Sequence, residues 1–392
     1  MTLIAALLLF QSPPPDRAAR ISAVVEEIRG TKFASAVPLR DGTRKEYAQL
    51  TLANARLVYG EDLAAGERAL KALGLIGRLI SLEKTIGMFA LQGPPAYNPK
   101  DGVAMLSADV SDDELVWRYA FALGDQRHGF PDVAKATGPS FDAQMALSAT
   151  RQGACDMTKH LWWAKKRLDD PMPGEHLAGC VAGAEKWERE QSRFATMVVP
   201  RLFVRASDFG WRRGGIFIEQ VRQNGGMAAV DRVLARPPVS TEQVLHVEKY
   251  VADERPVAID VLALDTMLAT KGFTRVWRTT LGELGAAIVL ETHLKEDVAA
   301  ASTGWGGDTL TYYENAEKQP LVAWATAWDT EADAKEFEAA GGKLATALGG
   351  EAARKGNAVV FLAGAAAFKD DAVKASWKCV ARSGDAVRAL GE

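Results

Sequence analysis

The chain has 392 residues, 48% of them hydrophobic and 25% charged, which is ample material for one large core or two moderate ones. The 47 basic and 50 acidic residues leave a net charge of −3, and no basic tract interleaves with aromatics, so nucleic acid is not an expected partner. No run reaches the roughly 18 apolar residues of a membrane-spanning helix, so no transmembrane span is expected.

Residues 1–15 read as a leader. Met1 to Phe10 supply the apolar stretch of a signal peptide, and Pro13-Pro14-Pro15 follow, although a positive start and a small-x-small cleavage site are missing. Export out of the cytoplasm, secreted or periplasmic, is the expected location. Helical spacing of apolar residues then predicts helices over 17–27 and 45–73. Residues 87–107 read as strand punctuated by Gly93-Pro94-Pro95, and 111–126 as helix. A long helix is expected over 141–167 and another over 174–205. Gly225-Gly226 and Pro237-Pro238 break the next segment. Ser240-x-x-Gln243 and Thr280-x-x-Glu283 read as capping boxes that open helices. From Gly304 the pattern changes. Residues 309–313 and 321–328 alternate like a hairpin, Asp329 and Thr330 cap a helix to about 348, and 358–362 is an apolar strand. The expected class is α+β: a mainly helical domain over 16–300, then a small β-β-α-β unit over 301–392.

The helix at 111–126 is apolar almost all round, through Leu115, Val116, Tyr119, Ala120 and Leu123, as a helix inside a sizeable domain reads. Trp117 and Phe121 are four apart and stack on one face. Taken alone, the segment is a core helix.

Its frame says more. Ala122-Leu123-Gly124-Asp125-Gln126 resembles the Ala-Leu-Gln-Asp-Gln that follows the H-E-x-x-H helix in a family of bacterial and archaeal surface metallopeptidase-like proteins of the gluzincin type. Other segments resemble that family in the same order: Arg29-Gly30 to Pro38, Gln92 with Tyr97-Asn98-Pro99-Lys100, Gln152-Gly153, the run from Ser240 to Tyr250, Gly304 to Asp308, and Trp328 to Ala334. The resemblance implies a zincin-like fold in which residues 92–103 lead into a strand along the cleft. It implies that Trp117 and Phe121 stand at the two histidine positions, Arg118 at the general base and Gln152 at the third zinc ligand. Zinc needs three lone-pair donors, and a guanidinium neither accepts a proton nor tolerates a cation. Neither metal nor cofactor is therefore expected. The charge of Arg118 is expected either to stand in for part of the lost zinc field or to pair with an acid such as Asp125 or Asp156.

Three functions follow. The first is a non-catalytic metallopeptidase homologue that binds a peptide or protein ligand, with Gln92, Tyr97, Asn98, Asp125 and Asp156 as candidate contacts and strand addition along 92–103 as the mode. The second is an enzyme of another class, or a displaced metal site, using Asp125, His128, Asp156 and His160. The third is a structural surface protein without ligand. Cys155, Cys180 and Cys379 leave a disulfide or three buried thiols equally open. No nucleophile elbow, P-loop or dinucleotide fingerprint occurs in the required context.

Overall fold

The computed structural model describes residues 15–92, 97–106, 110–167, 199–294 and 298–391. The leader, Cys180 and most of the helix expected over 174–205 lie outside them.

The N-terminal helices are α1 (Pro15–Arg29), α2 (Arg44–Tyr59), α3 (Leu63–Ala72) and α4 (Leu82–Gln92). Thr43 and Glu46 form a reciprocal capping box on α2, and Asp62 accepts from the first turn of α3. Gly60 and Asp62 thus divide the single helix expected over 45–73 in two. Helix α4 takes part of the segment expected as strand, because Leu82 and Ile86, one turn apart, are both buried in the core. Strand is confined to β1 (Leu39–Asp41), β2 (Tyr97–Asn98) and β3 (Val103–Leu106), in the order β1-β3-β2.

Helix α5 (Asp112–His128) starts at the Ser111 N-cap, with Asp112, Asp113 and Glu114 in its first turn and Arg127 and His128 in its last, both favourable to the helix dipole. Arg17 and Arg20 of α1 grip Asp112 at 3.0 and 2.8 Å. Helix α6 (Phe130–Thr137) and the long α7 (Phe141–Arg167) follow. After α8 (Arg201–Asp208), one wide π turn over Phe209–Arg213 leads into α9 (Gly214–Ala235). Helices α7 and α9 cross at backbone contact: a Cβ on Gly153 would overlap the Gly214 carbonyl, and one on Gly214 would overlap that of Ala149. Gly225 and Gly226 kink α9 with non-helical backbone, as their sequence predicts.

Short helices α10 (Thr241–Leu245) and α11 (Val247–Val251) precede β4 (Ala258–Asp260), α12 (Leu262–Thr270), β5 (Thr274–Thr279), α13 (Gly282–His293) and α14 (Ala299–Ser302). The chain closes with β6 (Trp305–Glu314), β7 (Pro320–Trp328), α15 (Glu331–Leu348), β8 (Gly350–Lys355), β9 (Ala358–Ala363), α16 (Lys369–Ser376), β10 (Val380–Ser383) and β11 (Ala386–Ala389).

The α+β class holds: helix predominates, and the strands of the five-stranded sheet pair antiparallel throughout. The expected β-β-α-β unit is corrected to a five-stranded antiparallel sheet of order β5-β6-β7-β9-β8, with a second sheet of order β11-β10-β4. Strand alternation gives β7 two different faces. Val322, Trp324 and Trp328 face the large core with Phe337 of α15, whereas Ala323, Ala325 and Ala327 face a smaller core that includes Leu264, Leu268 and Ala372. Both faces are covered, so the strand is buried almost throughout. The large core runs from Leu70 through Ile288 to Phe361, so residues on either side of position 300 share one interior.

Candidate functional site

Helices α5 and α7 place the four residues singled out by the sequence resemblance around one cleft. Trp117, Arg118, Phe121 and Gln152 all line a cavity of about 1140 Å³, with Tyr97, Phe130, Arg151 and Trp211. The Trp117 and Phe121 rings stack with centroids 5.8 Å apart and planes 22° apart. Tyr97 meets Phe121 at 6.0 Å, and Phe130 meets it edge-on at 5.2 Å. Trp117 and Phe121 offer no lone pair to a metal, so the residues at these two positions do not fit zinc.

Trp211 was not foreseen. The π turn carries it onto Trp117, centroid to centroid 5.8 Å, although Trp211 is 47% exposed. Such turns often mark functional positions. Gly210 makes the approach feasible, since a Cβ there would lie 2.8 Å from Gln152 Oε1. Gln152 donates its amide to Ser148 Oγ at 2.7 Å, and its Oε1 has no hydrogen-bond partner. The available sequence signal was the small residues Gly210, Gly214 and Gly215 flanking Trp211.

Arg118 does not pair with Asp125 or Asp156. Its side chain is 2% exposed, Glu114 lies one turn back at 3.8 Å, and burial lowers its pKa. Arg118 Nη1 donates to the Met105 carbonyl of β3. Ala104 donates its N–H to Pro38 on the β1 side, and alternate residues of a strand face opposite edges. The Met105 carbonyl therefore points to the other edge, where Arg118 caps it. Of the segment expected to add a strand, residues 93–96 lie outside the described residues; β2, with two residues, is the edge strand, and the Met105 carbonyl beyond it is taken by Arg118.

The remaining candidates divide. Tyr97 lines the cavity close to Asp125, whose pKa burial raises. Asn98 is buried but turns inward, donating to Asp101 at 2.7 Å and capping Lys100 N–H. The side chain of Gln92 lies outside the described residues. Asp156 sits 3.5 Å from Lys159, and burial pushes its pKa up to about 7. His128 stacks on Phe130 at 6.3 Å, and burial lowers its pKa. His160 packs against Trp163 at 5.9 Å. Among the described residues, Asp125, His128, Asp156 and His160 do not converge as ligands; the one group of three that does is Glu242, Glu254 and Asp329. Lys249 already occupies that position, with Nζ at 2.7, 2.7 and 2.5 Å from them.

The conspicuous segments after residue 240 serve the interior. Ser240 caps α10, and Thr241 donates its N–H and hydroxyl to Asp142 at 2.7 and 2.6 Å. His246 meets Glu283 at 3.0 Å. The expected Thr280 cap is corrected: the carboxylate of Asp308 accepts from Leu281 and Gly282 at the start of α13, each at 2.9 Å, and also from Trp305 Nε1. Thr280 instead donates to the Asp308 carbonyl. Cys155 and Cys379 are buried free thiols. No helix among the described residues is long and apolar enough to cross a membrane.

Residues 271–390 match a family described as Domain of unknown function (DUF8575). The match covers the five-stranded sheet and its helices and leaves the cleft outside. No curated protein and no solved structure matches the chain.

Proposed function

We propose that this protein is a catalytically inactive metallopeptidase homologue, working outside the cytoplasm, that holds a peptide or protein ligand in the α5–α7 cleft. The observation that carries the reading is the cavity itself. It has the volume of a ligand pocket, aromatic walls and a few convergent polar groups, the usual composition of a binding site. Side-chain anchoring is the mode the cavity favours: Trp117 and Trp211 would clasp an aromatic or aliphatic ligand group. Large aromatic residues commonly dominate such contacts.

The test is a calorimetric titration with N-acetylphenylalaninamide, beside a casein-hydrolysis assay with and without added zinc. Saturable binding that weakens about tenfold in Trp211→Ala, equivalent to roughly 1.4 kcal/mol, with no hydrolysis, is expected. Zinc-dependent hydrolysis would contradict the reading.

A further inference from the structure

The cleft contains more positive charge than its neighbours neutralise. Arg56, Arg118, Lys135 and Arg151 line it against Glu61 and Glu114. Arg118 is the most deeply withdrawn of them. Its one hydrogen bond goes to a neutral carbonyl, its Nε–H has no partner, and Glu114 stands off at 3.8 Å. Arg151 donates to the Phe130 carbonyl and lies over the Phe130 ring at 4.4 Å, and its Nε–H also has no partner. Asp125 and Cys155 are the groups that bear on its charge, as Glu114 and Tyr47 bear on that of Arg118. The Glu114 ion pair at 3.8 Å is too long for a hydrogen bond and leaves the buried Arg118 charge only partly compensated, and each buried orphaned polar atom calls for a partner. Gln152 Oε1 adds an unpartnered acceptor to the same wall.

We infer that the cleft is selective for a ligand bearing a carboxylate on or near an apolar group, the carboxylate being held by Arg118 with help from Arg151. The inference rests on the binding role proposed above and adds the chemical class of the ligand. Guanidinium is the side chain best matched to a carboxylate, through paired N–H donors in a fixed plane. The packed rings of Trp117, Phe121 and Trp211 supply the apolar wall beside it. An N–H next to the carboxylate, as in a peptide C-terminal residue, would meet the free Gln152 acceptor.

The experiment compares N-acetylphenylalanine with N-acetylphenylalaninamide by calorimetry on the full chain at pH 7, in wild type, Arg118→Met and Arg118→Lys. The acid is expected to bind at least tenfold tighter than the amide. That preference is expected to vanish in Arg118→Met and to persist in part in Arg118→Lys. Equal binding of acid and amide overturns the carboxylate inference and leaves the binding role standing. No binding of either at millimolar concentration overturns both. The wild-type comparison decides the matter even where Arg118→Met fails to fold.

Discussion

Trp211 packs tilted against Trp117, with ring planes 34° apart, although the two reach the cleft from different elements, the π turn and α5. Trp117 is the inner member, stacked on Phe121, and Trp211 is the half-exposed outer one. Their truncations are therefore expected to separate. Trp117→Ala should lower stability by about 3 kcal/mol, the low end for large aromatic deletions, because Trp117 is only partly buried. Trp211→Ala should cost less than about 1 kcal/mol while weakening ligand binding. Urea denaturation followed by far-UV circular dichroism measures the first pair of values.

The crossing of α7 and α9 depends on Gly153 and Gly214. Neither flanking backbone can yield easily, because both lie in long helices. Gly153→Ala is expected to destabilise by about 2–3 kcal/mol through overpacking, despite the better helix propensity of alanine. A rise in the urea midpoint would contradict this.

Asp142 and Asp308 give the interior a pH dependence. Burial raises the Asp142 carboxyl to about 7 and that of Asp308 to about 6, against about 3.9 in an unfolded chain. Between those values the folded state keeps protons that the unfolded state has released, so stability falls as pH rises. Their stabilisation is fully present below about pH 4 and is lost progressively towards pH 7, with up to about 4 kcal/mol from Asp142. The melting temperature should fall between pH 5 and 8. Asp142→Asn, which can still accept from Thr241, should flatten that slope; an unchanged slope would sink the assignment.

Lys249 holds Glu242, Glu254 and Asp329 together. Lys249→Met leaves buried Glu242 facing the exposed Glu254 and Asp329 without a counter-charge and should cost more than the ~1 kcal/mol of a surface pair. Adding Glu242→Gln should recover part of that loss. A double-mutant cycle measures the coupling, and additive losses would contradict it.

The sequence made α7, α15 and the β6–β7 hairpin legible because their apolar periods and caps agree. Thr330 and Asp333 form the capping box that opens α15. Strand β8 was not legible: Glu351-Ala-Ala-Arg-Lys355 favours helix locally, and only pairing along β9 makes it extended. The cap of α13 was misread because Asp308, distant in sequence, outcompetes Thr280 for the helix N-terminus. In the cleft, Trp117 and Phe121 were readable from their spacing. Trp211 and the Arg118–Met105 contact were not, since both arise from tertiary packing.

Zinc content per chain, measured by mass spectrometry after incubation with excess zinc and desalting, tests most directly whether the cleft has exchanged metal chemistry for binding. Well below one zinc per chain is expected, unchanged in Gln152→Ala. One retained zinc per chain, lost on substituting His128 or His160, would contradict the proposed role and point to a displaced metal centre.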